Sequence, residues 1–70
     1  MMRRKWEYAW VPITADGEVW APRSEAECDE LIAAHADPRH YINQAHNSDL
    51  SPVVRKRRMR RKPATEWEYA

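Results

Sequence analysis

Seven of the eight residues from Arg55 to Lys62 are Arg or Lys, and this run limits what the chain can fold into more than any other feature. It follows Pro52-Val53-Val54, which reads as the start of a strand. If the strand continues, its side chains alternate between two faces. One face is then Val53, Arg55, Arg57, Met59 and Arg61, and the other is Val54, Lys56, Arg58 and Arg60. Neither is apolar beyond Val54. Burying several cations is costly, which excludes an ordinary buried strand. The expectation is a strand over 52–58 that lies at a sheet edge, or leaves the sheet after about residue 57 as a solvated arm.

The formal net charge of +1 hides a segregation. Residues 1–5 hold Arg3, Arg4 and Lys5 and no acid. Residues 6–49 hold nine acids against Arg23 and Arg39, whereas 50–62 hold seven bases and no acid. Blocks of opposite sign in one short chain point to an interaction surface or to internal compensation. At 70 residues the chain is one domain, read as 1–62 with a C-terminal tail over 63–70 that can fold back. Its core can supply only a few kcal/mol, which leaves little for strained catalytic geometry.

Lys5 to Ile13 alternates, with Trp6, Tyr8 and Trp10 on one face and Ala9, Val11 and Ile13 on the other. That is a strand signal. Asp16-Gly17 is a tight-turn dipeptide, and Glu18 to Ala21 reads as a return strand stopped by Pro22. Ser24-Glu25-Ala26-Glu27 has the form of a capping box. Cys28, Leu31, Ile32 and His35 then recur at helical spacing, so 25–36 is an amphipathic helix. Asp37-Pro38 ends it and can open a short second helix over 38–46, with a strand at His40 to Asn43 as the alternative. Trp67-Glu68-Tyr69-Ala70 repeats Trp6-Glu7-Tyr8-Ala9, by chance or as two aromatic strands. The predicted fold is α+β: a small antiparallel sheet of about three strands (5–13, 18–21, 52–58) with one helix packed on one face.

Trp6 to Trp10, Asp16-Gly17-Glu18-Val19, Ser24 to Ala34, Val53-Val54-Arg55 and Trp67-Glu68 occur in an order that resembles small proteins of actinobacterial phages and prophages with a β-β-α-β layout. The segment 37–50 is longer, and the basic run denser, than in that pattern. The resemblance implies a fold and an origin. It implies no activity and no site residue.

The chemistry-bearing residues favour binding over catalysis. Cys28, His35, His40 and His46 match no standard zinc spacing, so neither a metal nor a cofactor is expected. Cys28 lies among Glu25, Glu27, Asp29 and Glu30, which disfavours a thiolate. Gly17 is the one glycine, so there is no glycine-rich phosphate cradle. No catalytic residue is predicted. A lone cysteine suggests a reducing compartment, so the chain reads as cytoplasmic, and no apolar run approaches a membrane span.

Arg55, Lys56, Arg57, Arg58, Arg60, Arg61 and Lys62 are the candidate nucleic-acid contacts, with Arg3, Arg4 and Lys5 joining if the first strand lies beside them. The plainer readings are neutralisation by the acidic helix, or a charged edge that resists aggregation. Trp6, Tyr8, Trp10 and Trp20 are the candidate protein-interaction set. The size of Trp argues instead for a core beneath the helix. The leading expectation is a phage-type accessory binding protein that contacts nucleic acid. The alternatives are a modulator of a host protein, acting through the acidic helix or an exposed aromatic face, and a homodimeric structural protein.

Overall fold

A computed structural model describes residues 5–44 and 50–70. It has the α+β architecture expected, with one helix and a three-stranded antiparallel sheet. Strand β1 runs Glu7–Thr14, helix α1 Glu25–Ala36, strand β2 Val53–Arg61 and strand β3 Glu68–Tyr69. The sheet order is β1-β2-β3. The basic strand is therefore central and stays in the sheet through Arg61, contrary to the expectation of an edge strand or an arm leaving near residue 57. The reason lies in its neighbours. Aromatic rings on the flanking strands receive the charged heads on their faces, while Arg57 and Arg58 keep their exposure. The cations are held between ring and solvent instead of being buried unpaired.

The expected strand at 18–21 is also corrected. Chain reversal occurs at Asp16-Gly17 as read: Gly17 N–H donates to the Thr14 carbonyl at 3.0 Å, and Gly17 takes φ 93°. The Thr14 hydroxyl donates to the Asp16 carboxylate and accepts from Glu18 N–H. The return segment then touches β1 only through isolated bridges at Ile13/Val19 and Trp10/Arg23. Pro12 has no N–H to offer the returning chain, and Pro22 has none to give back. The third strand is supplied by the C-terminal residues instead. Pro63 and Ala64, the latter at φ 64°, form a turn closed by Thr65 N–H on the Lys62 carbonyl at 3.0 Å. That is type II geometry, with Pro at its first central position and a positive φ at the second.

Helix α1 has the predicted bounds. Ser24 caps it by accepting from Glu27 N–H at 3.2 Å, and its hydroxyl donates to the Glu27 carboxylate. Of the predicted stripe, Cys28 and His35 are buried and Leu31 and Ile32 half-buried. The segment after it is not an α-helix over 38–46. Asp37-Pro38 forms a turn, and a single 3-10 turn follows at Tyr41–Asn43; residues 45 and 46 lie outside the described residues. Side chains intercept the backbone here. His40 Nδ1 accepts from Ile42 N–H, and Asn43 Nδ2 donates to the carbonyls of His35 and Asp37. Asn43 thereby satisfies carbonyls left open at the end of α1.

The core is aliphatic and small: Val11, Ile13, Cys28, Ile42 and Val53, with Pro12, Thr14 and His35. Four consecutive residues from Val11 to Thr14 are buried, so both faces of β1 are covered at this end. The Trp residues are not the core, contrary to the argument from size. Trp6 and Tyr8 are exposed, and Trp10 and Trp20 are half-buried.

Candidate nucleic-acid interface

The register between β1 and β2 decides which side chains share a face. Tyr8 opposes Arg60, Trp10 opposes Arg58 and Pro12 opposes Lys56. Trp6, Tyr8 and Trp10 therefore share a face with Lys56, Arg58, Arg60 and Lys62. Glu7 opposes Arg61, Ala9 opposes Met59, Val11 opposes Arg57 and Ile13 opposes Arg55, which fills the opposite face. β3 pairs Tyr69 with Met59 and Glu68 with Arg60. Tyr69 thus joins the face of Arg57, and Trp67 lies on that same side.

The two copies of Trp-Glu-Tyr-Ala flank the same stretch of β2 from opposite edges, one residue apart in register. That offset sends the rings of the first copy to one face and those of the second to the other. Each glutamate lands on the reverse face from its own strand's rings. Glu7 bonds Arg61 at 2.9 Å, and Glu68 bonds Arg60 at 3.2 Å.

Among the described residues six cation–π pairs involve the run. Arg58 lies 3.9 Å from the Tyr8 ring centre, Arg60 4.3 Å from Trp6, Lys56 5.1 Å from Trp10 and Lys62 5.2 Å from Trp6. On the other face Arg57 lies 3.9 Å from Tyr69 and Arg61 4.3 Å from Trp67. About one such pair per 70–80 residues is ordinary, so this density is a built feature. Arg58 and Lys56 each lie two residues along from the direct partner of the ring they cover. That is the diagonal contact a sheet brings within reach of long side chains. An exposed pair contributes about 0.5–1 kcal/mol, so the set stabilises a strand that has almost no apolar face.

The acidic helix neutralises one cation of the run. Lys56 Nζ bonds Glu25 at 2.8 Å and Asp29 at 2.6 Å, and its pKa is raised chiefly by the Asp29 carboxylate, then by Glu25. Arg60 and Arg61 are paired by the flanking glutamates. Among the described residues Arg55, Arg57, Arg58 and Lys62 have no carboxylate partner. Lys5 is exposed, and antiparallel pairing brings it toward the Lys62 end. Arg3 and Arg4 lie outside the described residues.

The predicted protein-interaction set divides. Trp6, Tyr8 and Trp10 belong to the basic ribbon. Trp20 stands apart, with its ring edge on His35 at 5.9 Å and Arg23 over it. Trp67 and Tyr69 were missed as ring partners of Arg61 and Arg57, and the duplicated tetrapeptide was their signal in the sequence. Each of Trp6, Tyr8, Trp10, Trp67 and Tyr69 carries a cation of the run against its ring.

Away from the ribbon, His35 and Cys28 have structural surroundings. Burial, and then the nearby His40, push the His35 pKa down, and its Nδ1 accepts from Val53 N–H at 2.8 Å. Burial pushes the Cys28 thiol up. Among the described residues no three Cys, His, Asp or Glu side chains are grouped to hold a metal ion. Among the same residues no helix is long and apolar enough to cross a membrane. Comparison with protein-family models, curated proteins and solved structures returns no match.

Proposed function

We propose that this protein is a small, non-catalytic, phage-type accessory protein of the host cytoplasm that binds nucleic acid through the β1–β2 ribbon. The observation that supports this reading is the surplus of charge. Arg55, Arg57, Arg58 and Lys62 have no carboxylate partner among the described residues. Two of them, Arg57 and Arg58, sit on tyrosine rings. A ring holds the guanidinium plane in place, and its N–H groups can still fork onto a phosphate. Less side-chain entropy is then lost on binding.

Four phosphate contacts predict a salt slope of about −3.6 on a duplex, which is roughly a 10²-fold loss of affinity between 50 and 200 mM salt. Fluorescence anisotropy with labelled duplex DNA, single-stranded DNA and RNA, titrated from low salt upward, tests this. Failure to retain any of them at low salt, where attraction is least screened, would sink the proposal.

A second reading rests on the exposure of Trp6 (36%), Tyr8 (51%) and Tyr69 (45%). A rim of exposed rings and arginines suits a protein partner, in a host protein or a second copy of this chain. Salt-insensitive capture of a host protein, with no nucleic acid retained, would favour it.

A further inference from the structure

Among the described residues, the four cations of 55–62 without a carboxylate partner divide evenly between the two faces of the sheet. Arg55 and Arg57 lie on the face of Val11 and Tyr69, and Arg58 and Lys62 lie on the face of Tyr8. A single strand of nucleic acid follows one surface and would leave half of these charges unused. A duplex groove has a phosphate wall on each side. We propose that the ribbon enters the major groove of duplex DNA, with Arg57 meeting one phosphate wall and Arg58 the other. This rests on the nucleic-acid reading above and specifies its target.

The molecule is elongated, 57 × 19 × 14 Å along its principal axes. The first turns of α1 meet β2 at Lys56, and the last turn meets it at Val53. The half of the ribbon that carries Arg57 to Arg61 continues past the helix, and Glu7 and Tyr8 beside it are exposed. β3 pairs with this half at Met59 and Arg60, and Ala70 N–H donates to the Arg58 carbonyl, so the sheet is three-stranded there. The B-form major groove is about 12 Å wide and its minor groove about half that, so the major groove is the wider opening for this end of the sheet. The A-form major groove is deep and narrow, so duplex RNA is disfavoured.

Ring contacts add to the fit. Arg57 and Arg58 are adjacent in sequence but are held by rings on opposite strands and opposite faces. Neither can swing to the other's side without leaving its ring. The two charges are therefore presented back to back, as a groove with two walls requires.

The test compares anisotropy titrations of the full chain on duplex DNA, single-stranded DNA and duplex RNA of equal length, with Arg57→Gln and Arg58→Gln beside the wild type. Duplex DNA should bind tightest, and each substitution should lower its salt slope by about one. Arg57→Lys and Arg58→Lys keep the charge and should keep the slope. A minor-groove ligand bound beforehand should leave duplex affinity unchanged. Circular dichroism of each variant separates lost contacts from lost fold. Equal or tighter binding of single-stranded DNA, with only one of the two positions contributing, overturns groove entry and leaves the nucleic-acid reading standing. Absence of binding to all three probes at low salt overturns both.

Discussion

Replacing His35 with Leu should destabilise the protein by about 2 kcal/mol, because a buried N–H left without an acceptor costs roughly 1–3 kcal/mol. His35 and Val53 are both buried, and the bond from Val53 N–H to Nδ1 is 2.8 Å. Leu fills a similar volume, so the cavity contribution is small. For a domain of this size each kcal/mol moves the melting midpoint about 4–8 °C, so the expected fall is roughly 8–16 °C. Asn is the informative control. Its side-chain oxygen can stand where Nδ1 does, and its helix propensity is close to that of His. His35→Asn should recover most of the loss.

The same bond has a pH signature. Nδ1 must be unprotonated to accept. The folded-state pKa of His35 lies below its ordinary 6.5 because of burial, then His40. The unfolded chain therefore takes up a proton before the folded one does. Stability is full above about pH 6.5, declines as pH falls below it, and stops declining once folded His35 is itself protonated. Thermal melts followed by circular dichroism between pH 7.5 and 5.0 read this, and His35→Asn should flatten the wild-type slope. A His35→Leu midpoint within about 2 °C of wild type would refute the reasoning, since Val53 N–H would then need no acceptor from His35.

Three further outcomes are expected. A double-mutant cycle of Tyr8→Leu and Arg58→Gln in chemical denaturation should give a coupling of about 0.5–1 kcal/mol, and zero coupling would mean the ring does not hold the guanidinium. Ser24→Ala removes the acceptor for Glu27 N–H and should lower stability by about 1 kcal/mol in the same assay. The Cys28 thiol is buried with its pKa raised, so a colourimetric thiol reagent at neutral pH should react with it only as fast as the protein unfolds. A burst of labelling in the native protein would contradict the burial.

Elements whose cause is local were legible in the sequence. Ser24 and the apolar spacing through His35 specify the helix, because a cap and a stripe act within a few turns. The alternation of Lys5 to Ile13 specifies β1, and Asp16-Gly17 its turn. The return strand at 18–21 was misread because Pro12 belongs to the partner strand and its missing N–H matters only once the two are paired. The short helix over 38–46 was misread because His40 and Asn43 capture backbone groups that a helix would use. The size of Trp argues for core, but Trp6 and Trp10 lie with the cations of β2, and Trp20 packs its edge on His35.

The sequence by itself determined that a strand of seven cations could not be buried on apolar faces, because strand alternation leaves nothing apolar after Val54. It also held the tetrapeptide that answers this, in two copies far apart along the chain. Only the tertiary structure decided that both copies flank the basic strand, one residue out of register. Strand order and register depend on contacts between distant segments, which no local pattern encodes. That arrangement puts rings on both faces and pairs Arg60 and Arg61 with carboxylates, while α1 pairs Lys56; among the described residues Arg55, Arg57, Arg58 and Lys62 have no carboxylate partner.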